Sequence, residues 1–530
     1  MSTSITLGVR VSRSKFNDTL AYGVAMALWL LVFAWIRPLS DPDEGRYAVV
    51  ALDMLRTGNW VTPHLNGLPF FHKPPLYYWL AAGGYELFGV HAWVARLPSM
   101  LGAWMASMSL LILARRYTNA STAFSSAIIF VTMPFAYLAS QYANMDMLLA
   151  GCVCACTACA FIATVESRLG KHWQAWITAA GVFAGLGFLA KGLIGIVLPG
   201  LVWFLWMLWE RRWKQLALPL YPPVWLAVLA IAGPWAWFAQ KQHPQFLHYF
   251  FVTQHFQRYT ETGFNNPQPW WFYLAVIALA CLPWTLFGIY TLFKWWKTRQ
   301  EVKPQSSPPD GQSSLDHYMC VWLIAVVAFF SFPSSKIVGY VLPALPPLAY
   351  LIARIGSVSL IDSGTKILRP KSKLPFVAGV AAILCAALAV GFGIKGVPQK
   401  ARWDRLAALP VQPGDRIMML GQLYYGVPFY MHTDQVSWVV DDWQAAKASK
   451  SDNWRKELLD AAELSPDIAR QVLMDKQDAN HVLCTAKHRV WVVGEPKATN
   501  LMTPSLSGSE PILDLGSRAV WLWTPDRDKC

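Results

Sequence analysis

Apolar residues along this chain come in long runs rather than in the 3.6- or 2-residue rhythm of half-buried helices and strands. Taking runs of about 18 residues as membrane spans, eleven segments qualify, near 20–38, 92–114, 123–142, 147–165, 173–190, 192–209, 222–239, 270–293, 318–333, 338–353 and 374–394. The connections between them are mostly short and hold most of the charge. One is different. Ser40–Trp79, reading SDPDEGRYAVVALDMLRTGNWVTPHLNGLPFFHKPPLYYW, gathers Asp41, Asp43, Glu44, Arg46, Arg56, His64, His72 and Lys73 just after the first span. Within it, Tyr47, Val50, Ala51, Met54 and Leu55 recur with helical period. A charged, non-spanning helix over Glu44–Thr57 is expected to lie on the membrane surface. Gly58-Asn59 and Pro69–Pro75 separate it from Tyr77–Phe88, a second interfacial piece rich in aromatics.

The pattern changes from about residue 395. Gly414–Leu420, Val436–Val440, Arg489–Val493 and Ala519–Trp523 read as strands, with helical periodicity over Asp442–Leu464 and Pro466–Lys476. The expected organisation is an all-α membrane domain, 1–394, followed by a small soluble α/β domain, 395–530. The tail carries no nucleotide fingerprint, Walker glycines or metal-ligand spacing.

Composition agrees with membrane residence: 55% of residues are hydrophobic and only 14% charged, against about 25% charged in soluble domains. Net charge is +14, yet the part from Lys395 onward has 17 basic and 17 acidic residues, so the excess belongs to the membrane part. It lies in alternate connections: Arg115-Arg116, Arg168 with Lys171, Arg211-Arg212 with Lys214, Lys294–Lys303 and Arg354–Lys373. That is positive-inside patterning, not the basic face of a nucleic-acid binder. It places the N-terminus in the cytoplasm and the tail outside. Cys152, Cys154, Cys156 and Cys159 share one apolar run and read as small packing residues. Outside, Cys484 and Cys530 allow one disulfide.

Basic residues on the outer side are exceptions to this topology and need a reason. They are Arg46, Arg56, Lys73, Lys191, Lys241, Arg258 and Lys336, alongside Asp41, Asp43, Glu44 and Asp146. Asp146 and Lys191 stand at span ends, where ionisable residues are functional candidates. Cations beside carboxylates suit a reaction between phosphate-bearing lipids. Lys and Arg neutralise a leaving phosphate, and a carboxylate orients an acceptor and takes a hydroxyl proton. Aromatic outer loops would hold an isoprenoid chain and a sugar ring. Composition alone equally allows a transporter or flippase without chemistry, or an assembly factor working through its tail.

The motifs DPDEGRYA, FFHKPPLYYW, NMD, FLAKG, QHFQRY and SSKIVGYVLPALPPLAYL occur in that order over roughly residues 20–355. With them the chain resembles bacterial GT-C glycosyltransferases of the protein-O-mannosyltransferase and lipid A aminoarabinose transferase superfamily. The resemblance implies a multi-spanning bacterial inner-membrane enzyme with its site and tail in the periplasm. It implies a polyprenyl-phosphate sugar donor and transfer with inversion to a lipid or glycan acceptor, a lipid A-like phosphate or hydroxyl; a protein hydroxyl is the alternative. Matched residue by residue, Asp43 is the key acid of the first outer loop, Glu44 its neighbour in the catalytic pair and Arg46 the motif's arginine. Lys73, Lys191 and Tyr340 match donor-phosphate positions, with Asp146, Arg258 and Lys336 in support.

One position departs from the pattern. Where aminoarabinose transferases have Glu before the lysine, this chain has His72, and His255 matches a histidine that in that group lies near the Glu. These two imidazoles are the candidate ligands for Zn²⁺; the transfer itself implies no cofactor. The resemblance leaves sugar, acceptor and oligomeric state open.

Overall fold

A computed structural model describes residues 13–524 apart from 212, 258–265, 299–310, 360–372, 396–401, 434, 449–452, 500–502, 504–505 and 507. The helices of the membrane part are α1 (Arg13–Leu31), α2 (Asp43–Thr57), α3 (Leu76–Phe88), α4 (Leu97–Tyr117), α5 (Ala120–Thr132), α6 (Pro134–Ser140) and α7 (Asp146–Arg168). They continue as α8 (Gln174–Lys191), α9 (Ile194–Trp209), α10 (Pro222–Gln242), α11 (Phe272–Ala280) and α12 (Trp284–Thr298). The last are α13 (Gln312–Ser331), α14 (Leu345–Ser359) and α15 (Leu374–Lys395). Every apolar run of the sequence therefore folds as helix. Among the described residues six segments are long and apolar enough to cross a bilayer, or eight if each bent pair counts once. The bent pairs are α5 with α6, at 63°, and α11 with α12, at 95°. Met133, extended ahead of Pro134, makes the first bend, as a residue before proline is driven out of the helical region.

Helix α7 is the centre of the bundle and is buried along its apolar length. Its small side chains allow this. A Cβ on Gly102 of α4 would strike the backbone of Met147 and Leu148, and one on Gly151 would strike Gly102. Here the helices cross backbone to backbone, the close approach small residues permit in membranes. The four cysteines of α7 are free and buried. At one end of the bundle Arg116 pairs with Glu166 at 3.0 Å, Arg168 with Glu210 at 3.6 Å and Arg354 with Asp316 at 3.3 Å. The first-loop charges occupy the other end.

Beyond α15 the chain forms strands β3 (Arg416–Leu420), β4 (Trp438–Val440), β5 (Leu473–Met474), β6 (Val490–Gly494), β7 (Leu513–Asp514) and β8 (Ala519–Trp523). Strands β1 (His64–Leu65) and β2 (Leu68–Pro69) make a small hairpin in the first loop. The six later strands form one sheet in the order β5-β4-β3-β6-β8-β7. Its β5-β4-β3-β6 part is parallel, and β8 runs antiparallel to β6 and β7. Helices α16 (Gly426–Met431), α17 (Trp443–Ala448), α18 (Trp454–Leu464), α19 (Pro466–Val472) and α20 (Lys476–Thr485) provide the crossovers. Strands β6 and β8 are almost wholly buried, as expected of central strands covered on both faces.

This sheet unit is fastened to the first loop. Asn66 Nδ2 donates to Ser437 O at 2.8 Å and Ser437 N to Asn66 Oδ1 at 2.7 Å. Arg56 Nη1 donates to Thr433 O at 2.6 Å, and Gly426 N to Asp41 Oδ2 at 3.1 Å. Gly45 lies where α2 meets α16, and a Cβ there would reach Gly426 N and the Tyr425 side chain at 3.0 Å. The helix expected in the first outer loop forms. α2 is inserted between α3 and the C-terminal unit, with Gly45, Ala48, Val50, Ala51, Leu52 and Met54 all buried. Its second apolar face serves packing on protein.

Candidate active site

Helix α2 begins at Asp43 and ends at Gly58, whose φ of 66° stops it. The first turn puts two adjacent acids in opposite settings. Asp43 keeps a side chain 51% exposed, with Arg46 Nη2 at 4.0 Å. Glu44 is fully buried and accepts from Arg37 Nη2 at 3.0 Å, Arg96 Nε at 2.9 Å, Ser40 N at 2.9 Å and Ala143 N at 2.9 Å. Burial alone would raise its pKa. The Arg96 and Arg37 charges outweigh burial and bring it down to about 2. Arg96 in turn donates to Ala34 O, Arg37 O and Pro38 O, at 2.7, 2.8 and 3.0 Å. The Glu44 oxygens are committed to a buried ionic knot joining the segment after the first span, Arg96 and the turn before α7. Arg37 and Arg96 were missed because they sit inside apolar runs, which is itself the signal for such a role.

Arg46, one turn after Asp43, reaches into the C-terminal unit. Its Nη1 is 2.9 Å from Glu457 Oε1, and its guanidinium lies over the Tyr425 ring at 5.0 Å.

The other charged centre is made by two helix ends. Asp146 opens α7 and Lys191 closes α8, which places each charge at the helix pole that favours it. Asp146 Oδ1 pairs with Lys191 Nζ, and the Lys191 ammonium lies 4.2 Å from the Tyr340 ring centre. Asn144 Oδ1 accepts from Asp146 N at 2.8 Å and Asn144 Nδ2 donates to Asp146 Oδ2 at 3.4 Å. Gly339 leaves room for this carboxylate, since a Cβ there would collide with Asp146 Oδ2. The Tyr47 hydroxyl feels charges of both centres. Burial raises its pKa first, Arg46 opposes, and Asp43 and Asp146 both raise it further. The Tyr142 hydroxyl is likewise pushed up by burial and then by Asp43 and Glu44. Tyr142, Asn144 and Gly339 were not singled out from sequence, although NMD and SSKIVGY contain two of them, and Tyr47 was read only as an apolar position of α2.

The remaining expected residues divide. Lys73 is half-buried in the turn ahead of α3. Lys336 is buried and donates to Gln268 O at 2.8 Å and Pro333 O at 2.6 Å, pinning one loop to another. Arg258 lies outside the described residues. His72 is buried and stacked on Phe70 at 4.6 Å, with Tyr249 6.0 Å away; the side chain of His255 lies outside the described residues. Among those described, no three His, Cys, Asp or Glu residues gather as a metal site.

Solved structures share this architecture. ArnT from Cupriavidus metallidurans bound to undecaprenyl phosphate matches with a TM-score of 0.76 at 24% identity, over 96% of this chain and 98% of that one. The oligosaccharyltransferase AglB from Archaeoglobus fulgidus matches more loosely, with a TM-score of 0.51 at 13% identity over 91% of this chain and 70% of its own. These likenesses show a shared fold, that of multi-pass membrane proteins. Residues 72–238 match the family model described as dolichyl-phosphate-mannose-protein mannosyltransferase. An undecaprenyl phosphate-α-4-amino-4-deoxy-L-arabinose arabinosyl transferase of Pseudomonas paraeruginosa is 30% identical over 418 residues, 79% of this chain and 73% of that protein. Its counterpart in Erwinia tasmaniensis is 33% identical over 372 residues, 70% of this chain and 64% of its own length. The chain belongs to the family of undecaprenyl phosphate-α-4-amino-4-deoxy-L-arabinose arabinosyl transferases. It spans only 64% of the Erwinia relative and 59% of a Pseudomonas fluorescens one.

Proposed function

We propose that this protein is an inner-membrane glycosyltransferase that moves an aminopentose of the 4-amino-4-deoxy-L-arabinose type from undecaprenyl phosphate to a lipid A-like phosphate or hydroxyl. The observation carrying the proposal is the Asp146–Lys191 pair under Tyr340, at the ends of two helices. In the reaction, an acceptor oxygen bonds to the anomeric carbon as the bond from that carbon to the phosphate oxygen breaks. The leaving undecaprenyl phosphate keeps the bonding electrons. Lys191, Arg46 and Lys73 neutralise that phosphate, the stabilisation preorganised cations supply best, and Tyr340 flanks Lys191. Asp43, open to solvent, orients the acceptor and takes its proton if it is a hydroxyl. Attack opposite to the leaving phosphate inverts the anomeric centre. The transfer requires no cofactor.

The proposal includes eleven spans, a cytoplasmic N-terminus and a periplasmic α/β domain over 395–530. The disulfide at Cys484 supports the outside placement, because such bonds persist in oxidising compartments. The ion pairs of the opposite end of the bundle, rich in Arg, suit the cytoplasmic side. Transport without chemistry is disfavoured by the buried interior of α7, where Cys, Ala and Thr replace a polar pathway. The test is transfer by purified protein from undecaprenyl-phosphate-linked 4-amino-4-deoxy-L-arabinose to lipid A, followed by mass spectrometry. A modified acceptor is expected; folded protein that transfers from no polyprenyl-phosphate sugar would sink the reading.

A further inference from the structure

Arg46 stands between two carboxylates that come from opposite ends of the chain. Its Nη1 is 2.9 Å from Glu457 of α18, while Asp43 is 4.0 Å from Nη2. The first distance is a charge-assisted hydrogen bond and the second is not. Arg46 and Glu457 side chains are 14% and 13% exposed, against 51% for Asp43. The Glu457 pair is thus the better shielded from water and the stronger. Tyr425 fixes both partners: its ring lies under the guanidinium and its hydroxyl donates to Glu457 Oε2 at 3.4 Å. Tyr47 and Tyr78 face the same guanidinium from α2 and α3. Without the Glu457 charge, Asp43 becomes the nearby carboxylate for Arg46, three residues away on the same helix face.

We infer that Glu457 is a positioning residue: it holds the Arg46 guanidinium off Asp43 and so keeps that carboxylate available to the acceptor. The inference rests on the proposed role of Asp43. It assigns the C-terminal unit a part in the site, from a residue well beyond the 20–355 stretch that carries the motifs.

The test uses full-length protein with the undecaprenyl-phosphate aminopentose donor and lipid A. Glu457→Gln is expected to raise the KM for acceptor about tenfold, the scale of coupling between neighbouring charges, and to raise the KM for donor as well, since Arg46 also meets the donor phosphate. Glu457→Asp keeps the charge one methylene further back and is expected to recover most of the loss. Asn66→Ala removes the hydrogen bonds to Ser437 without touching Arg46 and is expected to leave the acceptor KM alone. A folded Glu457→Gln protein with wild-type acceptor KM overturns the inference, as does an equal rise in Asn66→Ala. Should Glu457→Gln not fold, Tyr425→Phe, which removes the hydroxyl that holds Glu457 Oε2, is expected to raise the acceptor KM, and a folded Tyr425→Phe protein with wild-type acceptor KM overturns the inference. Full activity in Asp43→Asn would instead overturn the proposed function.

Discussion

Asp43 and Glu44 are adjacent in sequence, yet Asp43 is half exposed beside Arg46 while Glu44 is sealed between Arg37 and Arg96. One step along a helix turns a side chain by about 100°, enough to send one acid to the site and the other to the interior. The two are therefore expected to separate experimentally. Asp43→Asn should abolish transfer, by about 10²- to 10⁴-fold, with an unchanged melting curve. Glu44→Gln strands two arginines and should cost about 3–5 kcal/mol of stability, read as lost membrane expression and a lowered Tm. Equal melting curves for the two variants would contradict this division.

Lys191 has its charge placed by Asp146 and its ring contact by Tyr340. Lys191→Met should reduce transfer by about 10²-fold or more, as loss of a preorganised charge does elsewhere. Gly339→Ala should reduce it too, because the new methyl meets the Asp146 carboxylate. A Gly339→Ala protein with full activity would show that the carboxylate can move without consequence.

Asp53 supplies a pH signature separate from the reaction. Burial pushes its carboxyl up to about 6, with Arg56 opposing, and His64, 3.6 Å away, is lowered to about 4 by burial and by His243. A raised carboxyl contributes stability below its unfolded value of 3.8 and loses it as pH rises through about 6. Asp53→Asn should therefore stabilise the protein above about pH 7 by at most about 3 kcal/mol. The gain should fade as the pH drops through that window; thermal melts across the pH range measure it.

Metal removal tests the transfer as proposed. Dialysis against a chelator should leave the rate unchanged, because the proposed transfer draws its positive charge from Lys191, Arg46 and Lys73. Loss of activity that zinc restores would reverse that conclusion.

Much of this was legible from sequence. Long apolar runs can only become helices in lipid, where every backbone group must be bonded within its own segment, so each run folded as helix. All four expected strands of the tail formed within two residues of their expected starts. Asp146 and Lys191 stood out as charges at span ends, and they pair. Tertiary structure alone decided which first-loop acid is buried, because that depends on Arg37 and Arg96 arriving from two other segments. It alone packed α2 against the C-terminal unit, set Lys336 between two loops and brought Glu457 to Arg46. Periodicity reports which residues share a face and charge reports which avoid lipid. Neither reports what packs against that face, and in this protein the identity of the packing partner separates the ion pairs that hold the fold from the charges left for chemistry.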